Sequence, residues 1–398
     1  NVTVDLTAPT APVLVVTDSV AGANGSFTGA LNSGDHTDDV ILALSGTAEA
    51  DTVLTFTGIT LNPAGTVTVD NVGNWTATTA TLPETLYNIS VTSTDASGNI
   101  SVATTFDVTV DTTAEVPAIA AVTDDVGNIT GSVSSGGDSD DTVLVLTGTA
   151  EADSTLSFAG ITLNPATVVT TDNVGNWTAT TATLSDATTY DVVITMTDLA
   201  GNVTTSDTDG NAGADENADL SNADDPFVFT IDTTNPSAPT LVVTDNEAGT
   251  DSTYTGVITS GDYTDDVSLS LEISFPGFGL EQYEQVFFNF SPSGSCTAAE
   301  NTGVSTWTCT SSDLIDGPYT ITATGWDVAG NEATSSTFTA NIDTTDPIAP
   351  LISTVTDDVG AITGTLNSGD FTDDTTVTLI GLGEADQIVK LLVTDSLG

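Results

Sequence analysis

Short runs in which apolar and polar residues alternate recur along the whole chain, and no segment longer than a few residues carries a helical period. The runs are rich in Val, Ile, Leu and Thr. Turn-forming Asn, Asp and Gly separate them at intervals of about 8–12 residues. From Ala11 they read APVLVVTD, VILALSGTAEADTVLTFTG, DNVGNWTATTATL, LYNISVTSTDASGN and VATTFDVTVD. That order predicts about seven strands folded as a β-sandwich. Trp75 and Trp177 stand at the same place in two such series and are expected in the core. Tyr87, Tyr190 and Tyr319 precede the strand that leads to a Gly-Asn turn, the position of a tyrosine corner, and are expected to pack and to make one hydroxyl hydrogen bond each.

The series repeats at about 110 residues. Each repeat opens on an aspartate and a proline-bearing segment: DLTAP from Asp5, DTTAEVP from Asp111, DTTNPSAP from Asp232 and DTTDPIAP from Asp343. Proline fixes φ and extends the residue before it, so these junctions predict short, stiff linkers. The expected fold is all-β: tandem immunoglobulin-like sandwiches of about 100–120 residues in an elongated string. Residues 1–4 read as the end of a preceding repeat, 5–110 as the first repeat and 111–231 as the second, with an acidic insertion at 205–226. Residues 232–342 form the third repeat. Residues 343–398 form a fourth, truncated one, so the chain reads as an excerpt of a longer repetitive protein.

Charge narrows the function. Lys390 is the single basic residue, His36 the single histidine, and 56 acids give a formal charge of −55. Phosphate recognition needs cationic side chains, so nucleic acid is excluded as a partner, and direct binding to anionic membranes fails on the same ground. His36 lies in an acidic turn and has no partner for catalysis or zinc binding. The chain lacks the clustered bases and nucleophiles of an enzyme. A staple across a hairpin fits Cys296 and Cys309, and would imply an oxidising compartment; two separate buried thiols are the alternative.

The strings VTDDVGNITG, SGDFTDD, LTGTAEADS and DNVGNWT, with DLAGN and DTT closing each unit, resemble the bacterial immunoglobulin-like repeats of very large secreted adhesins. The likeness covers essentially the whole chain and is weakest at 271–310. It implies extracellular stalks that project an adhesive tip from the cell surface, stiffened by calcium at and near the joints.

The residues themselves support a metal reading. In such a sandwich the turn between the first two strands lies where the chain leaves, and the B–C and F–G turns lie where it enters. End to end, the first joint then collects Asp38, Asp39, Asp111, Glu151, Asp153 and Asp198. The second collects Asp140, Asp141, Asp232 and Asp327, and the third Asp265, Asp266, Asp343, Glu384 and Asp386. Crowded carboxylates need a counter-charge, and with no arginine and one lysine a hard divalent cation, Ca2+, is the expected partner. Solvated acidic turns are the bland alternative. In the insertion, Asp207, Asp209, Asn211 and Asp215 alternate as in a calcium loop, but without the EF-hand glycine and glutamate positions; a solvated acidic loop is the alternative.

Three roles follow. The first is an extracellular extender whose partners are its own neighbouring repeats, and which chelation would shorten and destabilise. The second is a self-assembling filament or sheath in which identical chains pair. The third assigns ligand binding to the third repeat, whose segment LEISFPGFGLEQYEQVFFNF is dense in aromatics. A divergent core is the plainer account of that segment.

Overall fold

The structure, a computed structural model, describes residues 4–20, 28–206, 226–247, 255–275, 285–296, 299–301, 306–385 and 387–394. Among them every regular element is a β-strand. The chain divides into two compact units. One holds Asn1–Ser237 with Phe278–Gln285 and Gly325–Ala333; the other holds Ala238–Gly277, Val286–Thr324 and Thr334–Gly398.

The first unit contains two sandwiches built alike. In the earlier one, Gly29–Ala30, Val15–Asp18, Ala43–Thr47 and Asn74–Thr78 form a four-stranded sheet in that order. It faces a five-stranded sheet ordered His36–Thr37, Thr104–Val110, Thr85–Thr94, Val53–Thr57 and Val67–Thr68. Strand period dictates the core. Along Thr85–Thr94 the alternate residues Ile89, Val91 and Ser93 are fully buried; with Leu54 of the adjacent strand they face Val16 and Leu44 of the opposite sheet. The later sandwich repeats the plan, with Val122, Leu146, Ile194 and Phe229 in its core. Its Gly131–Val133, Ala118–Asp124, Val145–Thr149 and Asn176–Thr180 form the four-stranded sheet.

Trp75 and Trp177 are buried as expected, each edge-on to a phenylalanine (Phe56 at 5.6 Å, Phe158 at 5.5 Å). Each indole lies across from a glycine of the neighbouring strand, Gly46 or Gly148. In the second unit the cross-strand partner of Trp307 is Ile273, and Phe275 supplies the edge contact at 5.3 Å. The tyrosines behave as corner residues: the Tyr87 hydroxyl donates to Pro83 O, while Ser185 N–H and Ile315 N–H donate to the Tyr190 and Tyr319 hydroxyls.

In the second unit, Gly256–Ile258, Thr240–Asp245, Ser270–Ser274, Thr306–Thr310 and Ala299–Asn301 form one sheet. A second sheet pairs Tyr263–Thr264 with Phe338–Ile342, and Gly364–Leu366, Leu351–Asp357 and Thr378–Leu382 form a third, three-stranded one. Cys296 and Cys309 are joined in a disulfide, which settles the alternative of two thiols.

Candidate metal centre

One pairing puts acidic residues where each sandwich ends. A two- or three-residue strand runs parallel to the closing strand: His36–Thr37 beside Thr109–Val110, Gly137–Ser139 beside Phe229–Ile231, and Tyr263–Thr264 beside Asn341–Ile342. The ladder ends on the linker aspartate, whose N–H donates to Thr37 O, Ser139 O or Thr264 O at 2.9 Å from Asp111, Asp232 or Asp343. The aspartate pair that follows each short strand therefore lies beside the linker.

The two aspartates of a pair take different roles. The second is held inward. Asp39 accepts from Ser19 N–H, the Ser19 hydroxyl and Ile41 N–H, and Asp266 accepts from Asn246 and Ser268 N–H. Asp141 accepts from Val143 N–H at 2.7 Å and, more distantly, from Asp125 N–H. All three are buried. The expectation that both members face the joint therefore narrows to the first, because orphan backbone donors at the strand ends claim the second. The first, Asp38 or Asp140, is half-buried, and its Oδ1 is wholly enclosed with no hydrogen-bond donor.

At the first joint, oxygens of Asp111, Glu151 and Asp198 lie within 4.8 Å of one another. Three elements deliver them: the linker, the turn between Val145–Thr149 and Thr155–Ala159, and the turn after Thr188–Thr197. Asp198 is buried, and its Oδ1 accepts from Gly201 and Asn202 N–H at 2.7 and 2.8 Å, which fixes the carboxylate in a tight Asx turn. Burial raises the Glu151 pKa, and the charges of Asp198 and Asp111 raise it further. Asp38 is likewise raised, chiefly by burial and then by Asp18, with Asp198 contributing. Asp153 stands apart: it is exposed, adopts a left-handed φ of 58° and donates its N–H to Asp172 O, a turn-forming role.

At the second joint, burial pushes Asp140 up to about 6, reinforced by Asp124, Asp327 and Asp141. Asp327 is raised by its own burial, with Asp232 adding to the shift. A main-chain bond from Asp140 N–H to Ala329 O ties the two turns at 3.2 Å. At the third, Asp265, Asp343 and Glu384 are all exposed, and Glu384 accepts from Ile348 N–H at 2.8 Å. Asp386 and the insertion residues Asp207, Asp209, Asn211 and Asp215 lie outside the described residues.

Two further groups stand at the sandwich ends, of which the sequence singled out only Asp124, in the pair Asp124-Asp125, as a candidate for a second metal site. Asp18, Asp124 and Asp245 are buried, each accepting from the hydroxyl of Thr37, Ser139 or Thr264 across the sandwich end. Asn99, Asn202 and Asn331, last in their turns, donate to the linker carbonyls of Asp5, Asp111 and Asp232. The recurring Gly-Asn at the close of each F–G turn was the available signal; it reads as turn chemistry alone until the linker is placed beside it.

The donors that converge at the first joint are carboxylate oxygens, and Oδ1 of Asp38 and of Asp140 is enclosed without a hydrogen-bond donor. That suits a hard cation and excludes a thiolate or imidazole site. Fold and site together define tandem immunoglobulin-like sandwiches with acidic joints. The model of the bacterial Ig-like domain matches residues 14–112 and 251–344, so those two stretches are similar to bacterial Ig-like domains. No curated protein matches the chain in sequence. Among solved structures it is similar to InvD of Yersinia pseudotuberculosis at 14% identity, covering 77% of this chain and 95% of that one with a TM-score of 0.31. Fibronectin(III)-like modules of Clostridium thermocellum CbhA match at 10% identity over 52% of this chain and 88% of theirs, TM-score 0.28. Mouse cadherin-23 EC22–24 matches at 13% identity over 79% and 94%, TM-score 0.20. Likeness at this level is shared by many strings of β-sandwiches and bears on no function. No helix among the described residues is long and apolar enough to cross a membrane.

Proposed function

We propose that this chain is an extender region of an extracellular bacterial adhesin, whose joints are stiffened by bound calcium. The observation that carries the reading is the convergence of Asp111, Glu151 and Asp198 from three separate elements of one joint. Three carboxylates so close repel strongly unless neutralised, and the chain's one basic residue, Lys390, lies far along the sequence from them. Asp111, Glu151 and Asp198 would hold the ion at the first joint, with Asp38 adjoining; Asp140, Asp232 and Asp327 are their counterparts at the second. Bound calcium would supply the counter-charge, and ligands drawn from linker and turns would tie neighbouring repeats together. The disulfide supports a location outside the reducing cytoplasm. Catalysis has no place in this reading.

Metal content measured by mass spectrometry on the purified chain, before and after a chelator, tests it. The reading expects retained calcium and a melting temperature that falls sharply on chelation. A chain that retains no calcium, or melts identically in both conditions, overturns it. Polymer formation that rises with concentration would instead favour a surface filament.

A further inference from the structure

The linker peptide itself is gripped from both sides. At the first joint the Asp111–Thr112 amide offers its carbonyl to Asn202 Nδ2 of the following sandwich, at 3.0 Å. The N–H of the same amide, on Thr112, donates to Glu84 Oε1 of the preceding sandwich at 3.1 Å. The second joint repeats this. Asp232 O accepts from Asn331 Nδ2 at 2.8 Å, and Thr233 N–H donates to Asp186 Oδ1 at 2.7 Å. Half of the device recurs at two further linkers: Asp5 O accepts from Asn99 Nδ2, and Thr344 N–H donates to Asp316 Oδ1 at 3.0 Å.

We infer that this clamped amide is, at the first joint, a latch which sets the orientation between the two sandwiches of the first unit without any metal. An amide is planar and does not rotate about its C–N bond. When its two ends are held by different sandwiches, no freely turning backbone torsion lies between the two grips. The preceding sandwich adds a second hold one residue earlier, through Asp111 N–H to Thr37 O or Asp232 N–H to Ser139 O. Asn202 and Asn331 suit the following side, because each amide also donates to the aspartate that opens its own turn, Asp198 or Asp327. That second bond limits the side chain's rotamers and aims the remaining N–H at the linker. Calcium at the joint would narrow motion about an orientation that the latch already defines. The latch does not rest on the calcium reading.

The test places spin labels at Thr55→Cys and Ser157→Cys, exposed strand positions in the two sandwiches of the first unit, in the full chain with its disulfide kept oxidised. Distance distributions are compared in calcium and in chelator for the parent, Asn202→Ala, Glu84→Ala and the control Asn176→Ala. Asn176 donates to Asp172 in a similar turn but does not reach the linker. In chelator the parent and the control are expected to keep one dominant distance, the same as in calcium. Asn202→Ala and Glu84→Ala are expected to lose it, spreading at least twofold. Loss of the dominant distance by the parent in chelator overturns the latch, and so does its retention by both linker variants. Should Asn202→Ala not fold, Glu84→Ala decides alone, since Glu84 is exposed and outside the turn. If calcium changes none of the distributions, the metal reading loses support while the comparison in chelator still decides the latch.

Discussion

Asp39 Oδ2 accepts both the backbone N–H and the hydroxyl of Ser19, at 3.0 and 2.8 Å, and so closes the end of the sandwich from 20 residues away. Its Oδ1 accepts from Ile41 N–H, and the residue is buried. Asp38, beside it, makes no such closure, and its Oδ1 has no donor. The two neighbours should therefore separate by mutation. Asp39→Ala strands three donors and is expected to cost about 2–4 kcal/mol with or without calcium. Asp38→Asn should be neutral or slightly stabilising in chelator, since it removes a half-buried charge among like charges. Denaturant unfolding of the full chain in chelator reads both.

The carboxylate convergence at the first joint predicts a graded loss of calcium binding. Glu151→Gln removes one anionic oxygen donor and keeps the side chain's shape, so it should weaken binding at that joint by about tenfold or more. Asp198→Asn should weaken it further and also loosen the turn, because Asp198 Oδ1 holds Gly201 and Asn202 N–H. Asp153→Asn, on an exposed turn with φ of 58°, should leave binding unchanged, because Asn tolerates that conformation. Calorimetric titration of the chelator-stripped chain with calcium ranks the three. An Asp153→Asn effect equal to that of Glu151→Gln would contradict the placement.

Much of this was legible in the sequence, and the boundary has a physical cause. Strand alternation and repeated turn residues are local signals, so the all-β fold, the buried tryptophans and the corner tyrosines could be read from one stretch at a time. The meeting of Asp111 with Glu151 and Asp198 could be anticipated from which end of a sandwich each turn occupies. Which aspartate of a pair points inward could not. TDD spells two equal carboxylates, and only the backbone donors of Ser19 or Asn246, about 20 residues upstream, distinguish them. The latch was hidden for the same reason: Glu84 and Asp186 look like loop acids until the linker N–H groups arrive beside them.

Gly148 tests the packing of the later sandwich. A Cβ built there would sit 2.0 Å from Ala118 O and 2.3 Å from the Trp177 ring, closer than real contacts allow. Gly148→Ala must push the indole or split the pairing of Ala118–Asp124 with Val145–Thr149, and should cost about 3 kcal/mol or more. Replacing Gly131 with alanine provides the contrast: a Cβ meets nothing there, but φ is +130°, so the penalty is conformational and smaller, about 1 kcal/mol. Thermal unfolding followed by tryptophan fluorescence reports both. Equal effects from the two substitutions would mean that the indole does not need the glycine.

Asp140 makes the second joint sensitive to pH. Its pKa is lifted from an ordinary 3.8 to about 6, first by burial, then by the charges of Asp124, Asp327 and Asp141. The folded chain thus holds this proton more tightly than the unfolded chain does. Its contribution to stability is complete below about pH 4 and is lost as pH rises through about 6. A shift of that size would be worth about 3 kcal/mol in full, and solvent screening of a half-buried group cuts it to about 1 kcal/mol. Asp140→Asn removes the titration while leaving the main-chain bond from residue 140 to Ala329 O available. In chelator, the unfolding free energy of the parent should therefore fall between pH 4 and 7 by about 1 kcal/mol more than that of Asp140→Asn. Added calcium should narrow the gap between them from the high-pH side, because a cation beside the ionised carboxylate favours the charged form. Parallel pH profiles for parent and variant in chelator would show that Asp140 keeps an ordinary pKa and that the joint admits water freely.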